Sequence, residues 1–439
     1  MKASICHRLI ATTAVAVLLT HGTAIGEEAP AAKQEFALHD NDRVLFLGDS
    51  ITEQKLHTTY IEAYAVTRFP KRKYAFANRG WGGDTAWMRM RSFPDEKVLF
   101  AAEGDVQQKL IEESVDAVLT RDVVTWKPTV VTVNFGMNDC GREQFREDLF
   151  RAHIRGQAEI AKVLSRGGAR VIFLTPQPLE SAIADPTSDV RNQSLRKFAD
   201  GVKDVAGKTH SAFIDQFDPY MALLKREHGK DPNVSVGAGD EIHPAPAGQT
   251  IMATIILKQM NAPALVSSAE FEVAANQTAK LVSATQCAVT NVEFQNDTLS
   301  FVRADEALPM PVDERAMAAL KIAPVLEDLN RYELKVTGLK AGHYDVMMDD
   351  ELAATHTGQE LAKGVNLALT AGPITKQGQQ ILALIFQKNV VGQTLWEAQI
   401  HNRKKQLATL PMQLADLETQ ITAACQPKPH RITLKPGGN

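Results

Sequence analysis

A chain of 439 residues, 44% of them hydrophobic, has enough material for two domains with real cores. Its 52 acidic against 48 basic side chains give a net charge of −4, a balance that argues against nucleic acid and anionic membranes as partners. Four cysteines are too few to build a disulfide scaffold.

At the N-terminus, Lys2 and Arg8 precede an apolar stretch from Leu9 to Leu19 and a small-residue site at Ala24-Ile25-Gly26. Residues 1–26 therefore read as a cleavable secretory signal. The apolar run is shorter than the ~20 residues a spanning helix needs, and no later segment is long enough to span a membrane. Cleavage removes two cations and no anion, moving the net charge from −4 to −6. It leaves Cys140, Cys287 and Cys425, with Cys287 and Cys425 the favoured pair for one bridge in an oxidising compartment. The expectation is an exported protein, periplasmic or secreted, in two parts, 27–264 and 265–439, with its oligomeric state left open.

From Arg43 to about Met260, short apolar runs alternate with longer helix-like segments, the pattern of strand-helix-strand units around a parallel sheet. Strands are predicted at Val44–Leu47, Tyr74–Ala77, Thr129–Asn134, Arg170–Leu174 and Ala212–Ile214. Helices are predicted at Glu53–Arg68, Gln107–Val124, Gln144–Ser165, Val190–Ala206 and Ala247–Met260. Strands rich in Val, Ile and Phe suit a sheet covered on both faces. The fold class is thus α/β, a three-layer α/β/α sandwich, whose ligands bind at the carboxyl ends of the strands. Residues from Ser92 to Gly104 read as a surface insertion.

Beyond Asn261 the pattern changes to a smaller, mixed α+β region. A stretch rich in Ala, Ser and Thr (262–286) leads to strand-like "VEFQNDTLSFV" and a helical segment from Val312 to Leu329. "YELKVTGLKAGHYDVMMDD" reads as a hairpin about a Gly338–Gly342 turn. Residues 376–424 read as largely helical, interrupted at Pro411, with an apolar stripe that packs on the rest of the protein.

Four pieces of chain fall at the predicted strand ends. Strand one ends at Gly48-Asp49-Ser50; strand two runs into "NRGWGGDTA", where Asp84 suits the cap of a following helix; strand three ends in "NFGMNDC"; and "GDEIHPAPAGQ" precedes the last helix. Each alone is an ordinary turn element. Together they place a hydroxyl, flexible backbone amides, an amide side chain and an Asp-His pair at one edge of one sheet. The chain resembles the SGNH/GDSL hydrolase superfamily in "FLGDSIT", "NRGWGGDTA", "GMND" and "DEIH", over about residues 40–260, and exported bacterial GDSL-like acylhydrolases in particular. The resemblance implies a flavodoxin-like sandwich, with Gly83 matching the family glycine and Gly82 the alternative.

The chemistry also follows from the residue types. A serine hydroxyl becomes nucleophilic when a neighbouring base takes its proton, and imidazole, which titrates near neutrality, makes His243 suited to be that base for Ser50. Asp240 would accept from the other ring nitrogen and stabilise the imidazolium. The backbone N–H groups of Ser50 and Gly83 and the side-chain amide of Asn138 would form the oxyanion hole. Asp49 and Asp139 read as braces of their loops. There is no G-x-S-x-G elbow, no H-E-x-x-H and no metal-ligand spacing of histidines, so neither cofactor nor metal is expected.

The expected activity is hydrolysis of acyl esters through an acyl-enzyme. The resemblance to exported esterases implies acetyl groups on carbohydrate, so the partner would be a small-molecule or polysaccharide ester. Trp81, His57 and Tyr60 are the candidate substrate-binding residues. A lysophospholipase or thioesterase uses the same catalytic parts, and a glycan-binding protein with little turnover is the alternative of another class.

Overall fold

In the computed structural model of the protein, the described residues are 35–437 apart from 94, 182 and 184. The expected signal segment, residues 1–26, lies outside them. From Phe36 onward the chain forms one compact unit, in which the architecture changes at Leu265.

The first half is a parallel five-stranded sheet. Strand β1 (Asp42–Gly48) leads through helices α1 (Ser50–Glu53) and α2 (Leu56–Arg68) to β2 (Tyr74–Gly80). Short helices α3 (Arg89–Ser92) and α4 (Lys97–Ala101) and the long α5 (Gly104–Asp122) precede β3 (Val130–Asn134). Then come α6 (Glu147–Arg166), β4 (Arg170–Leu174), α7 (Val190–Thr209), β5 (Ala212–Ile214), α8 (Phe217–His228) and α9 (Pro246–Gln259). The strand order is β2-β1-β3-β4-β5, all parallel. Helices α5, α6 and α7 pack side by side, while α2 and α9 pack together. All of β3 and all but Arg43 of β1 are buried or nearly so, as expected of strands covered on both faces. Because β2 and β3 lie on opposite sides of β1, the topological switch opens a crevice at the carboxyl ends of β1 and β3.

The five strands and five helices read from the sequence are present within a few residues. Helix α8 was not anticipated. The insertion at 92–104 is partly packed: Leu99 is buried, and Glu96 accepts a hydrogen bond from the Trp87 indole at 2.8 Å.

The second half differs more from its reading. The Ala/Ser/Thr-rich stretch forms strands β6 (Leu265–Val273) and β7 (Ala279–Thr285), followed by β8 (Cys287–Gln295) and β9 (Thr298–Asp305). The segment read as one helix over 312–329 is instead a 3-10 turn and two short helices, α10 (Ala319–Ile322) and α11 (Val325–Leu329), separated by Pro324, which cannot supply an N–H in mid-helix. Strands β10 (Arg331–Thr337), β11 (His343–Met348) and β12 (Glu351–Thr357), helix α12 (Gly358–Lys363) and strand β13 (Val365–Asn366) follow. Helices α13 (Pro373–Ile400) and α14 (Lys404–Ala424) and strand β14 (His430–Pro436) complete it.

The hairpin expected about Gly338–Gly342 is absent. Strand β10 lies parallel to β6 in the sheet β13-β10-β6-β7, whereas β11 belongs to the sheet β12-β11-β14-β9-β8. Burial decides the pairing: alternate residues of each strand enter the layer between two facing sheets, where Phe271 and Phe301 meet at 4.4 Å. Strand β14 sits between β9 and β11, antiparallel to both. The helical break falls at His401-Asn402-Arg403, with Asn402 at φ 49°, rather than at Pro411, which lies inside α14. The expected Cys287–Cys425 bridge is not formed: both thiols are free, and Cys287 Sγ donates to the Ser268 carbonyl at 3.4 Å.

Helix α13 packs against α2 and β2, so the second half also covers the first. Lys388 and Asn389 of α13 meet Glu62 and Thr59 of α2 in buried contacts.

Candidate active site

The chain leaves β1 at Gly48 and turns at once into α1. Asp49 caps this helix: its carboxylate accepts from the Ile51 N–H at 3.0 Å. Burial pushes the Asp49 carboxyl up to about 7; the Ile51 N–H opposes that rise, and the nearby charges of Asp139 and Asp84 add to it. Ser50 is the first residue of α1, half-buried at the crevice. Its Oγ lies 2.9 Å from His243 Nε2.

His243 stands in the loop before α9. Its Nδ1 lies 2.9 Å from Asp240 Oδ2, while Asp240 Oδ1 accepts from the N–H groups of His243 at 2.7 Å and Ile242 at 2.8 Å. The three-residue spacing lets one carboxylate both cap this tight turn and receive the imidazole. Partial burial pushes the Asp240 carboxyl upward, but the hydrogen bonds from His243 and Ile242 outweigh it and hold the group below its ordinary value. With Asp240 accepting at Nδ1, that nitrogen carries the proton and Nε2 presents its lone pair to Ser50.

The glycine block and the Asn138 loop are stitched to the same edge. Trp81 N–H donates to the Gly48 carbonyl at 3.0 Å, and Asn138 Nδ2 donates to the Asp84 carbonyl at 3.0 Å. Asn138 is thereby fixed beside the residue that follows Gly83. Asp139 braces both segments: it accepts from Ala86 N–H at 2.9 Å, from Gly136 N–H at 3.1 Å, and meets His153 Nδ1 at 2.6 Å. Gly83 has φ +75°, a conformation glycine adopts without steric cost, and among the described residues no backbone carbonyl takes the N–H of Ser50 or of Gly83. Gly82 lies under the Glu53 carboxylate.

Asp84 does not N-cap the next helix, since Met88 holds that place. It instead accepts from Met90 N–H at 3.1 Å within that helix and pairs with Arg91 at 2.7 Å. Arg91 also reaches Asp122 at 3.2 Å, all three side chains being out of solvent. Arg91 and His153 were not singled out from sequence. Neither lies in a motif, and their partners come from other elements.

Two of the three candidate substrate-binding residues are turned away from the crevice. His57 is 1% exposed, its N–H and Nδ1 both meeting Gln249 Oε1 at 3.0 and 2.7 Å. Tyr60 is 2% exposed, and its hydroxyl donates to Asp313 at 2.9 Å. Positions 57, 60, 61 and 64 share one stripe of α2, the stripe that faces the protein interior. Trp81 is half-buried beside the glycine block, its ring meeting Trp396 of α13 edge-on at 5.6 Å.

Burial holds the His57 imidazole down at about 4, from an ordinary 6.5. Between those values the unfolded chain binds a proton that the folded one refuses, so this residue's contribution to stability falls as pH drops from about 6.5 to about 4. A His57→Gln variant should therefore show a flatter fall of thermal midpoint with pH over that window; an unchanged slope would remove His57 as the cause.

The chain is of the serine ester hydrolase class. Residues 46–251 match the GDSL-like Lipase/Acylhydrolase family. Among solved structures, the chain is similar to BT4096, a gut microbial diltiazem-metabolizing enzyme, at 22% identity and TM-score 0.75, covering 91% of this chain and 98% of that one. This likeness of fold extends through most of the second half. Axe2, an acetylxylan esterase from Geobacillus stearothermophilus, aligns at 20% identity and TM-score 0.38 over 50% of this chain and 94% of its own. LAE5, from the metagenome of Lake Arreo in Spain, aligns at 18% and 0.39 over 52% and 98%. No curated protein matches by sequence.

Proposed function

We propose that the protein is an exported esterase that removes short acyl groups, acetyl foremost, from polar, carbohydrate-like esters, with Ser50, His243 and Asp240 as its triad. The observation that carries this reading is the 2.9 Å contact between Ser50 Oγ and His243 Nε2, with Nδ1 held by Asp240. As Oγ attacks the ester carbonyl, its proton passes to Nε2 and the imidazolium is stabilised by Asp240. The oxyanion is met by the N–H groups of Ser50 and Gly83 and by the Asn138 amide. Collapse expels the alcohol, which takes the proton from Nε2 and leaves acyl-Ser50. Water, deprotonated by the same nitrogen, attacks that ester, and the carboxylic acid leaves as Ser50 recovers its proton.

The preference for polar esters is supported by the rim. Glu53 lies over Gly82, Arg89 pairs with Glu96 at 3.5 Å close to Gly83, and Glu241 pairs with Arg191 two residues from His243. Such a rim suits hydroxyl-rich substrates better than long acyl chains. Export rests on the sequence pattern of residues 1–26.

Comparison of aryl acetate with long-chain aryl esters, for the wild type and Ser50→Ala, tests the reading, followed by acetate release from acetylated polysaccharides. A preference for long chains would favour a lipase, and turnover that survives Ser50→Ala would remove the triad. Asn138→Ala should lower kcat by about 10²–10³-fold with KM little changed, the signature of a lost oxyanion donor. A rise in KM at constant kcat would instead make Asn138 a ground-state contact.

A further inference from the structure

The segment after β4 lies along the loop that carries Asp240 and His243, and one carboxylate there serves no part of the chemistry described so far. Glu180 is partly buried, and its Oε1 accepts the Val236 N–H at 2.5 Å. The next N–H, that of Gly237, donates to the Ser235 hydroxyl at 3.2 Å. The Glu180 N–H donates to the Glu241 carbonyl at 2.8 Å, and Gln177 Nε2 donates to the Ile242 carbonyl at 3.2 Å. Residues 236–245 are closed on themselves: Ala245 N–H donates to the Val236 carbonyl at 2.7 Å and Ala238 N–H to the His243 carbonyl at 2.8 Å. Both arms of this bracket are thus anchored to residues 177–180, the first through the Glu180 carboxylate and the second through the Glu180 N–H and the Gln177 side chain.

Gly237 shows how closely the two segments fit. A Cβ at that position would overlap Oε2 of Glu180 and press on the Asp240 carbonyl. The glycine therefore leaves the space that the carboxylate occupies.

We propose that Glu180 is a positioning residue, whose carboxylate fixes the 236–243 bracket so that His243 stays within reach of Ser50, a role that rests on His243 acting as the base. A carboxylate suits this place because it accepts strongly from a backbone donor, and removing it strands the Val236 N–H. Burial raises its pKa, and the N–H of Val236 and the hydroxyl of Ser235 oppose the rise.

The test compares Glu180→Ala, Glu180→Gln and Gly237→Ala with the wild type and His243→Ala on aryl acetate. Glu180→Ala should lower kcat by about 10–100-fold, the scale of an ångström-sized misplacement, with KM altered much less. Glu180→Gln, which keeps one acceptor oxygen, should recover part of the loss, and Gly237→Ala should reproduce it. In a His243→Ala background, Glu180→Ala should cost nothing further, because its effect passes through the missing imidazole. Unchanged kcat in an active Glu180→Ala enzyme, or an equal loss in both backgrounds, would overturn the proposal. Hydrogen exchange over residues 234–245 gives a readout without turnover: it should quicken in Glu180→Ala, and unchanged exchange would overturn the proposal too. A wild type with no Ser50-dependent turnover would defeat the esterase reading, and the exchange measurement would still judge the hold of Glu180 on the loop.

Discussion

Ser50→Ala is expected to lower kcat for aryl acetate by about 10⁴-fold or more, and His243→Ala by a comparable factor, because each removes one half of a single proton-transfer unit. For the same reason the double variant should be no slower than either single one. Without Oγ no acyl-enzyme forms; without the imidazole the attacking hydroxyl keeps its proton. Asp240→Ala should cost less than either, since the Asp240 side chain is 51% exposed and water can stand in as acceptor for Nδ1. Steady-state rates with stoichiometric labelling of Ser50 by a phosphonate ester separate slow chemistry from misfolded protein. Residual turnover within tenfold of the wild type in Ser50→Ala would rule out this serine as nucleophile.

The second large effect is on stability. Lys388 Nζ lies 2.6 Å from Glu62 Oε1, both side chains 4% exposed, and Asn389 donates to Glu62 at 3.3 Å and to Thr59 at 2.9 Å. Burial drives the Glu62 carboxyl upward, and Lys388 and Asn389 counter it. Lys388→Ala strands a buried carboxylate between α2 and α13, at an expected cost of about 3–5 kcal/mol. Replacing both partners, as Glu62→Leu with Lys388→Met, should restore most of that loss, since an apolar pair of similar volume avoids the desolvation of two charges. Thermal midpoints and urea unfolding of the two singles and the double check this. A double variant as unstable as Lys388→Ala would mean that packing, not the unpaired charge, sets the cost.

The parallel sheet was legible because its strands are short apolar runs, three of which end in Gly or Asn, at Gly48, Gly80 and Asn134. Of the proposed triad, Ser50 was legible next to such an end, and Asp240 and His243 as a pair three residues apart in the loop between α8 and α9. Helix α2 shows where residue type misleads. His57 and Tyr60 look like cleft residues because they follow Ser50 closely, but helical spacing puts them on the stripe that faces α9 and the second half. The strands of the second half were harder. In β7 and β8 the side chains alternate between partial and full exposure, so Ser, Thr and Gln blur the period-two signal. The turn between β10 and β11 carries hairpin residues, yet the pairing is set by β6 and β14, which lie far away in sequence. Glu180 gave no local signal: it takes its meaning from a loop brought to it by the fold.

The position of β14 has a consequence for assembly. The five-stranded sheet cannot zip up from neighbouring hairpins, because the slot between β9 and β11 is filled from beyond the long α13–α14 pair. Closure of this layer is therefore a late, long-distance event, slow by the ordinary dependence of rate on sequence separation. Until it happens, two ladders of unpaired amide and carbonyl groups stand ready to accept any extended chain, which makes this half of the molecule the vulnerable one while the protein matures.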